Sequence, residues 1–111
     1  MDINEIDPLR CAKFIQETAP KFAKAKADRT FIENYLRTVK SQLMGASDAT
    51  SLGQREADAY ASQKYVDQLN GLREAVELEE TYRWQMTSAQ AKLEIWKTTE
   101  YSRRAELKNL G

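Results

Sequence analysis

Histidine is absent from the chain, cysteine occurs once, proline twice and glycine four times in 111 residues. Each scarcity excludes something. Without histidine there is no Ser/His/Asp or Cys/His nucleophile system, and general-base work falls to carboxylates or lysines. Helical di-iron sites built on Glu-x-x-His pairs go the same way. With so few glycines, no glycine-rich phosphate loop can be written. The lone Cys11 forms no intrachain disulfide and shares a helical face with Ile15 and Phe22, which points to a small buried hydrophobe rather than a reactive thiol. No apolar run reaches bilayer length and no signal-peptide core is present, so the expectation is a cytoplasmic protein with no membrane role. Seventeen basic and seventeen acidic side chains cancel, leaving no overall field toward nucleic acid or anionic lipid. Glu77, Glu79 and Glu80 are the densest carboxylates, but adjacent helical residues point different ways. The chain is therefore read as a non-enzyme with no metal and no cofactor.

What remains is a helical composition: 41% hydrophobic and 31% charged residues with little glycine or proline. The class is all-α, in a single domain spanning residues 1–111. Asp7 followed by Pro8 is an N-cap and first-position signature, and it opens a short helix over 8–19. Pro20 removes a backbone donor and predicts a kink or restart near Thr18 to Pro20. A first long arm then runs over 20–44. Phe22, Ala25, Ile32, Leu36, Val39 and Leu43 alternate three and four apart, with Arg29 at the missing step, which is a coiled-coil seam. The small polar run "GASDATSLG" within 45–61 is the reversal point, followed by a short helix in "QREADAYAS". The second long arm, 62–108, is capped by Ser62 and is roughly 70 Å long at about 1.5 Å per residue. Its seam is read as Leu69, Leu72, Val76, Glu79, Arg83, Met86, Gln90 and Leu93.

Two arms and one loop form a long antiparallel helical hairpin. Folded about the loop, residues whose numbers sum to about 107 face each other, which sets Arg29 opposite Glu79. The polar break in each seam becomes one shared feature that fixes register. A second stripe, Ala75, Tyr82, Ala89 and Trp96, lies beside the second seam, with Phe31 and Tyr35 on the first arm. Left in water, these rings forfeit on the order of 10 kcal/mol of burial. They are read as an oligomer interface in a homodimer or higher even oligomer, a helical bundle that buries both stripes. A monomer would need the kinked first helix and residues 54–61 to cover them.

Lys21, Lys24, Lys26, Arg103 and Arg104 lie near aromatic residues and are the candidate contacts to single-stranded DNA, which favours positive grooves with stacking rings. The stretch "QREADAYASQKYVDQLNGLREAVELEETYRWQMTSAQAKLEIWKTTE", preceded by "FIENYLRTVKSQLM", resembles a group of small helical proteins of tailed bacteriophages and prophages, over roughly residues 20–105. "READAYAS", "RW" and "AKLEIW" carry that resemblance. Such proteins are often encoded among single-strand annealing and recombination genes, and the group supplies no catalytic motif. The resemblance implies an oligomeric accessory protein of phage DNA recombination or replication in the host cytoplasm, binding a partner protein or single-stranded DNA. The alternative is a phage adaptor or inhibitor that binds a host protein through an exposed helical face, without nucleic acid.

Overall fold

Asp7 starts the first helix as the sequence predicts. Its Oδ1 accepts from the backbone N–H groups of Leu9 at 3.1 Å and Arg10 at 3.2 Å, and its carbonyl accepts from Cys11. These bonds satisfy donors that a helix start leaves open, and Pro8 at the first position has none to satisfy. The computed structural model describes residues 5–110 and shows three helices: α1, Pro8–Ala46; α2, Leu52–Ala61; and α3, Gln63–Leu110. The protein is all-α, with no strand among the described residues.

The expected division into 8–19 and 20–44 is corrected: α1 continues through Pro20 as one helix of 39 residues. Proline inside a helix costs about 3 kcal/mol through its missing N–H and its ring clash. Here Pro20 and Gln16, whose carbonyl loses its donor, are both exposed, so water can serve the open oxygen. On the other side of the helix, Thr18 is buried and Phe22 half-buried. Packing on both sides of the proline holds the helix through it.

Of the expected 45–61 loop with its short helix, the helix is present as α2, and the turn before it is shorter than anticipated because α1 continues to Ala46 and helix resumes at Leu52. Ser51 is extended and its Oγ accepts from Gln54 N–H at 3.1 Å, an N-cap. Ser47 ties the turn to α2 by donating to Asp58 at 3.0 Å, while Arg55 donates to the Ala49 carbonyl at 2.7 Å. Ser62 alone separates α2 from α3. Its backbone is extended, its N–H bonds back to Ala59, and its carbonyl accepts from Val66 as the first bond of α3.

The chain divides into two compact units, Ala23–Glu80 and the described part of Met1–Phe22 with Thr81–Gly111. The first of these, the tip unit, is a helical hairpin closed by α2. Val39 is fully buried there, Ala25 and Ala59 are also buried, and Ile32, Leu36 and Leu43 are half-buried. These residues follow the predicted α1 seam. The other, the stem unit, uses Cys11, Ile15, Thr18 and Phe22 from α1. From α3 it uses Tyr82, Met86, Ala89, Leu93 and Trp96, all half-buried or buried. Thr18 and Ala89 are the two most buried residues of this unit, and small side chains at such points let helices approach closely.

The α3 seam is therefore rotated from the expected one. Leu72, Glu79, Met86 and Leu93 belong to both readings, but their companions are Ala75, Tyr82, Ala89 and Trp96, not Leu69, Val76, Arg83 and Gln90. Leu69 is 46% and Val76 40% exposed, and Arg83 and Gln90 are also on the surface. Both rows stand at three-and-four spacing from the shared one, so periodicity cannot choose between them. Polarity can: one row would bury a guanidinium and an amide, the other buries small and aromatic residues. Of the residues expected at an oligomer interface, Ala75, Tyr82 and Trp96 are half-buried and Ala89 is buried within the chain itself.

Candidate interaction surfaces

Arg29 and Glu79 meet inside the tip unit. Arg29 Nε donates to Glu79 Oε2 at 2.6 Å and Nη2 to Oε1 at 3.1 Å, a bidentate pair, while Nη1 donates to Glu33 at 2.7 Å. Glu79 is only 2% exposed and Arg29 about a quarter exposed. This is the contact that numbers summing to about 107 require, so the register is as expected. Among the described residues no buried side-chain polar atom lacks a partner. The carboxylate of Glu79 foremost, then that of Glu33, holds the Arg29 guanidinium above its already high ordinary value, so the guanidinium stays charged.

A second polar cluster joins α1 to α2. Lys40 Nζ bonds Glu56 at 2.9 Å and lies 4.6 Å from the Tyr60 ring centre, and Tyr60 meets Tyr65 edge to face at 5.2 Å. Tyr60 and then Glu56 raise the Lys40 ammonium above its usual range, and the Lys40 hydrogen bond holds Glu56 below that of ordinary carboxylates. Nothing in the sequence pairs these residues at a glance. Their separation of 16 positions becomes legible only once α2 is known to fold back along α1. In the stem unit the Arg83 guanidinium stacks over Phe22 at 5.0 Å, a cation–π contact.

The candidate interface residues fall into two groups. Phe31 is 68% exposed and lies flat on Tyr35, with ring centres 5.9 Å apart and planes 7° from parallel. Tyr35, like Ala75, Tyr82 and Trp96, is half-buried, and Ala89 is buried. The candidate nucleic-acid contacts are not one patch. Lys24 and Lys26 belong to the tip unit, where Lys24 is bonded to Asp28 at 2.9 Å. Lys21, Arg103 and Arg104 belong to the stem unit. The Phe22–Arg83 contact places Lys21 beside that part of α3, and Arg103 lies twenty residues further along, roughly 30 Å away at about 1.5 Å per residue. Arg103 pairs with Glu100 at 3.6 Å.

Among the described residues there is no group of three or more His, Cys, Asp or Glu side chains placed to hold a metal ion, and no helix is long and apolar enough to cross a membrane. Neither family models, curated proteins nor solved structures provide a match to the chain.

Proposed function

We propose that this chain is a non-catalytic helical accessory protein that works in the cytoplasm by holding a partner protein against the tip unit. The observation that carries the reading is the Phe31–Tyr35 stack. A large, rigid aromatic pair on α1 has little part in the seam, and aromatic anchors of this kind supply much of the binding energy at protein interfaces. The resemblance to phage proteins adds a setting, DNA recombination or replication in an infected cell. The adaptor or inhibitor reading uses the same surface on a host protein. Affinity capture from producing cells, treated with nuclease, tests the proposal. A protein retained by the wild-type chain and lost with Phe31→Ala supports it. Capture unchanged in Phe31→Ala removes the aromatic pair from the function.

Direct contact with single-stranded DNA is the second reading. It is favoured by Lys21, Lys26 and Arg104, which are exposed. Each Lys to Ala change should then weaken oligonucleotide binding for all sequences alike and lower the salt slope by about 0.7. Unchanged affinity in the Lys21, Lys24, Lys26 triple alanine variant would dispose of it.

A further inference from the structure

The chain holds four asparagines, and Asn70 alone is followed by glycine. Both residues lie inside α3 in the tip unit, Asn70 exposed and Gly71 half-buried. Each is a poor helix residue, asparagine because its side chain competes for backbone groups and glycine because it has the most freedom to lose. The fold does not ask for glycine here. Among the described residues no glycine has a positive φ, and a Cβ at Gly71 would meet nothing within 4 Å, so the residue serves neither a left-handed turn nor a close approach. What the glycine does change is the chemistry of Asn70. With no side chain at position 71, nothing shields its peptide nitrogen from the side-chain amide carbon of the residue before it.

We propose that Asn70 is a site of spontaneous deamidation, gated by opening of the tip unit. The Gly71 peptide nitrogen gives up its proton to base and attacks Asn70 Cγ. The new N–C bond closes a five-membered succinimide, and the side-chain nitrogen leaves as ammonia. Water then opens the ring at one of its two carbonyls, giving aspartate or isoaspartate, whose main chain runs through the side-chain carbons. No oxidant, metal or cofactor is required. The native helix opposes both early steps. Its i→i−4 pattern bonds Gly71 N–H to the Asp67 carbonyl, so the proton is held, and the helical ψ of Asn70 keeps the nitrogen out of line with Cγ. This turn cannot fray as a helix end does, because half-buried Leu72 and Ala75 follow it and Glu79 pins the same helix to Arg29. Release at 70 and 71 therefore needs the tip to open. Both products then weaken the helix they come from. Asp67 and Glu74, both exposed, stand three before and four after Asn70, so a carboxylate at 70 meets like charge on both sides. Isoaspartate adds a backbone atom that puts the hydrogen-bond ladder out of step. The change runs one way, and each modified chain holds its tip less firmly.

The reaction does not depend on what the Phe31–Tyr35 pair binds. The full chain is incubated in mildly alkaline buffer, with and without urea above its unfolding transition, and deamidation is followed residue by residue by peptide mass mapping. In urea Asn70 should react ahead of Asn34 and Asn109, which precede tyrosine and leucine, and Gly71→Ala should slow it severalfold. In buffer the rate at Asn70 should be at least about tenfold lower than in urea. Glu79→Ala should raise the rate in buffer by about tenfold or more and leave the rate in urea unchanged, since it acts on the opening and not on the chemistry. Asn70→Asp should lower Tm. Equal rates in buffer and urea overturn the gating, as does a rate in buffer that Glu79→Ala does not change. Reaction at Asn34 or Asn109 ahead of Asn70 in urea, or a rate in urea indifferent to Gly71→Ala, overturns the site. A Tm unchanged or raised in Asn70→Asp overturns the weakening by the aspartate product.

Discussion

The tip and stem units are built from the same two long helices, yet they are held in different ways. The tip carries 8 basic and 10 acidic side chains and joins its elements through polar contacts of fixed geometry, namely Arg29 with Glu79 and Lys40 with Glu56. The described part of the stem carries 9 basic and 6 acidic side chains and is joined by an apolar seam with Arg83 over Phe22. An apolar seam of three-and-four spacing is nearly as well satisfied after a slip of one heptad. A buried bidentate ion pair is not, because a slip would bury each charge against apolar neighbours. Register within the tip unit is thus set by its buried ion pair.

That contrast can be broken most severely at Glu79. Glu79→Ala should destabilise the protein by about 2 to 3 kcal/mol in urea unfolding, toward the low end for a buried pair because Glu33 still faces Arg29. The reverse effect is expected in the stem: Pro20→Ala should stabilise by about 2 kcal/mol, somewhat less than the full helix penalty since the open carbonyl is exposed. A loss of stability there would show that the proline is required by the fold. Smaller again is Gly71→Ala in the tip. A Cβ at Gly71 meets nothing within 4 Å, and the residue is mid-helix, so a gain of about 0.5 to 1 kcal/mol should appear as a raised Tm.

The smallest effect is that of pH on the α1–α2 cluster. Glu56 has a lowered native pKa, so its contribution is complete above the ordinary carboxylate value and is lost as pH falls from there through the native one. Lys40 has a raised value, so its contribution is complete below the ordinary lysine pKa and is lost as pH rises through the native one. Protection of α2 amides against exchange, corrected for the pH dependence of the intrinsic rate, should accordingly be highest on a plateau between about pH 5 and 10, and its fall on the acid side should vanish in Glu56→Gln. Retention of the same pH dependence in that variant would place its origin elsewhere.

Much of this architecture is legible from spacing and caps. The Asp7–Pro8 start, the α1 seam from Phe22 to Leu43, the reversal after Met44 and the Arg29–Glu79 contact all follow from local chemistry or from counting along two helices. The extent of α1 does not, because proline's helix penalty is an average that exposed placement and flanking burial can outweigh. The choice between Val76 and Tyr82 as seam companions of Glu79 was equally open to periodicity, and the burial cost of Arg83 and Gln90 was the signal that could have decided it. Lys40 with Glu56 needed the path of α2. Of the candidate surface residues, Phe31 is exposed and stacks on Tyr35, while the lysines and arginines divide between the two units.

The most direct test of register control is a double-mutant cycle on the buried pair, read by urea unfolding. Arg29→Leu and Glu79→Leu alone should each be destabilising, because each removes the bidentate contact of a charge that stays in place, while the double variant should be at least as stable as the wild type. The coupling should be about 2 kcal/mol or more. If the two single losses simply add in the double variant, the pair does not hold the helices in register and the account of the tip unit is wrong.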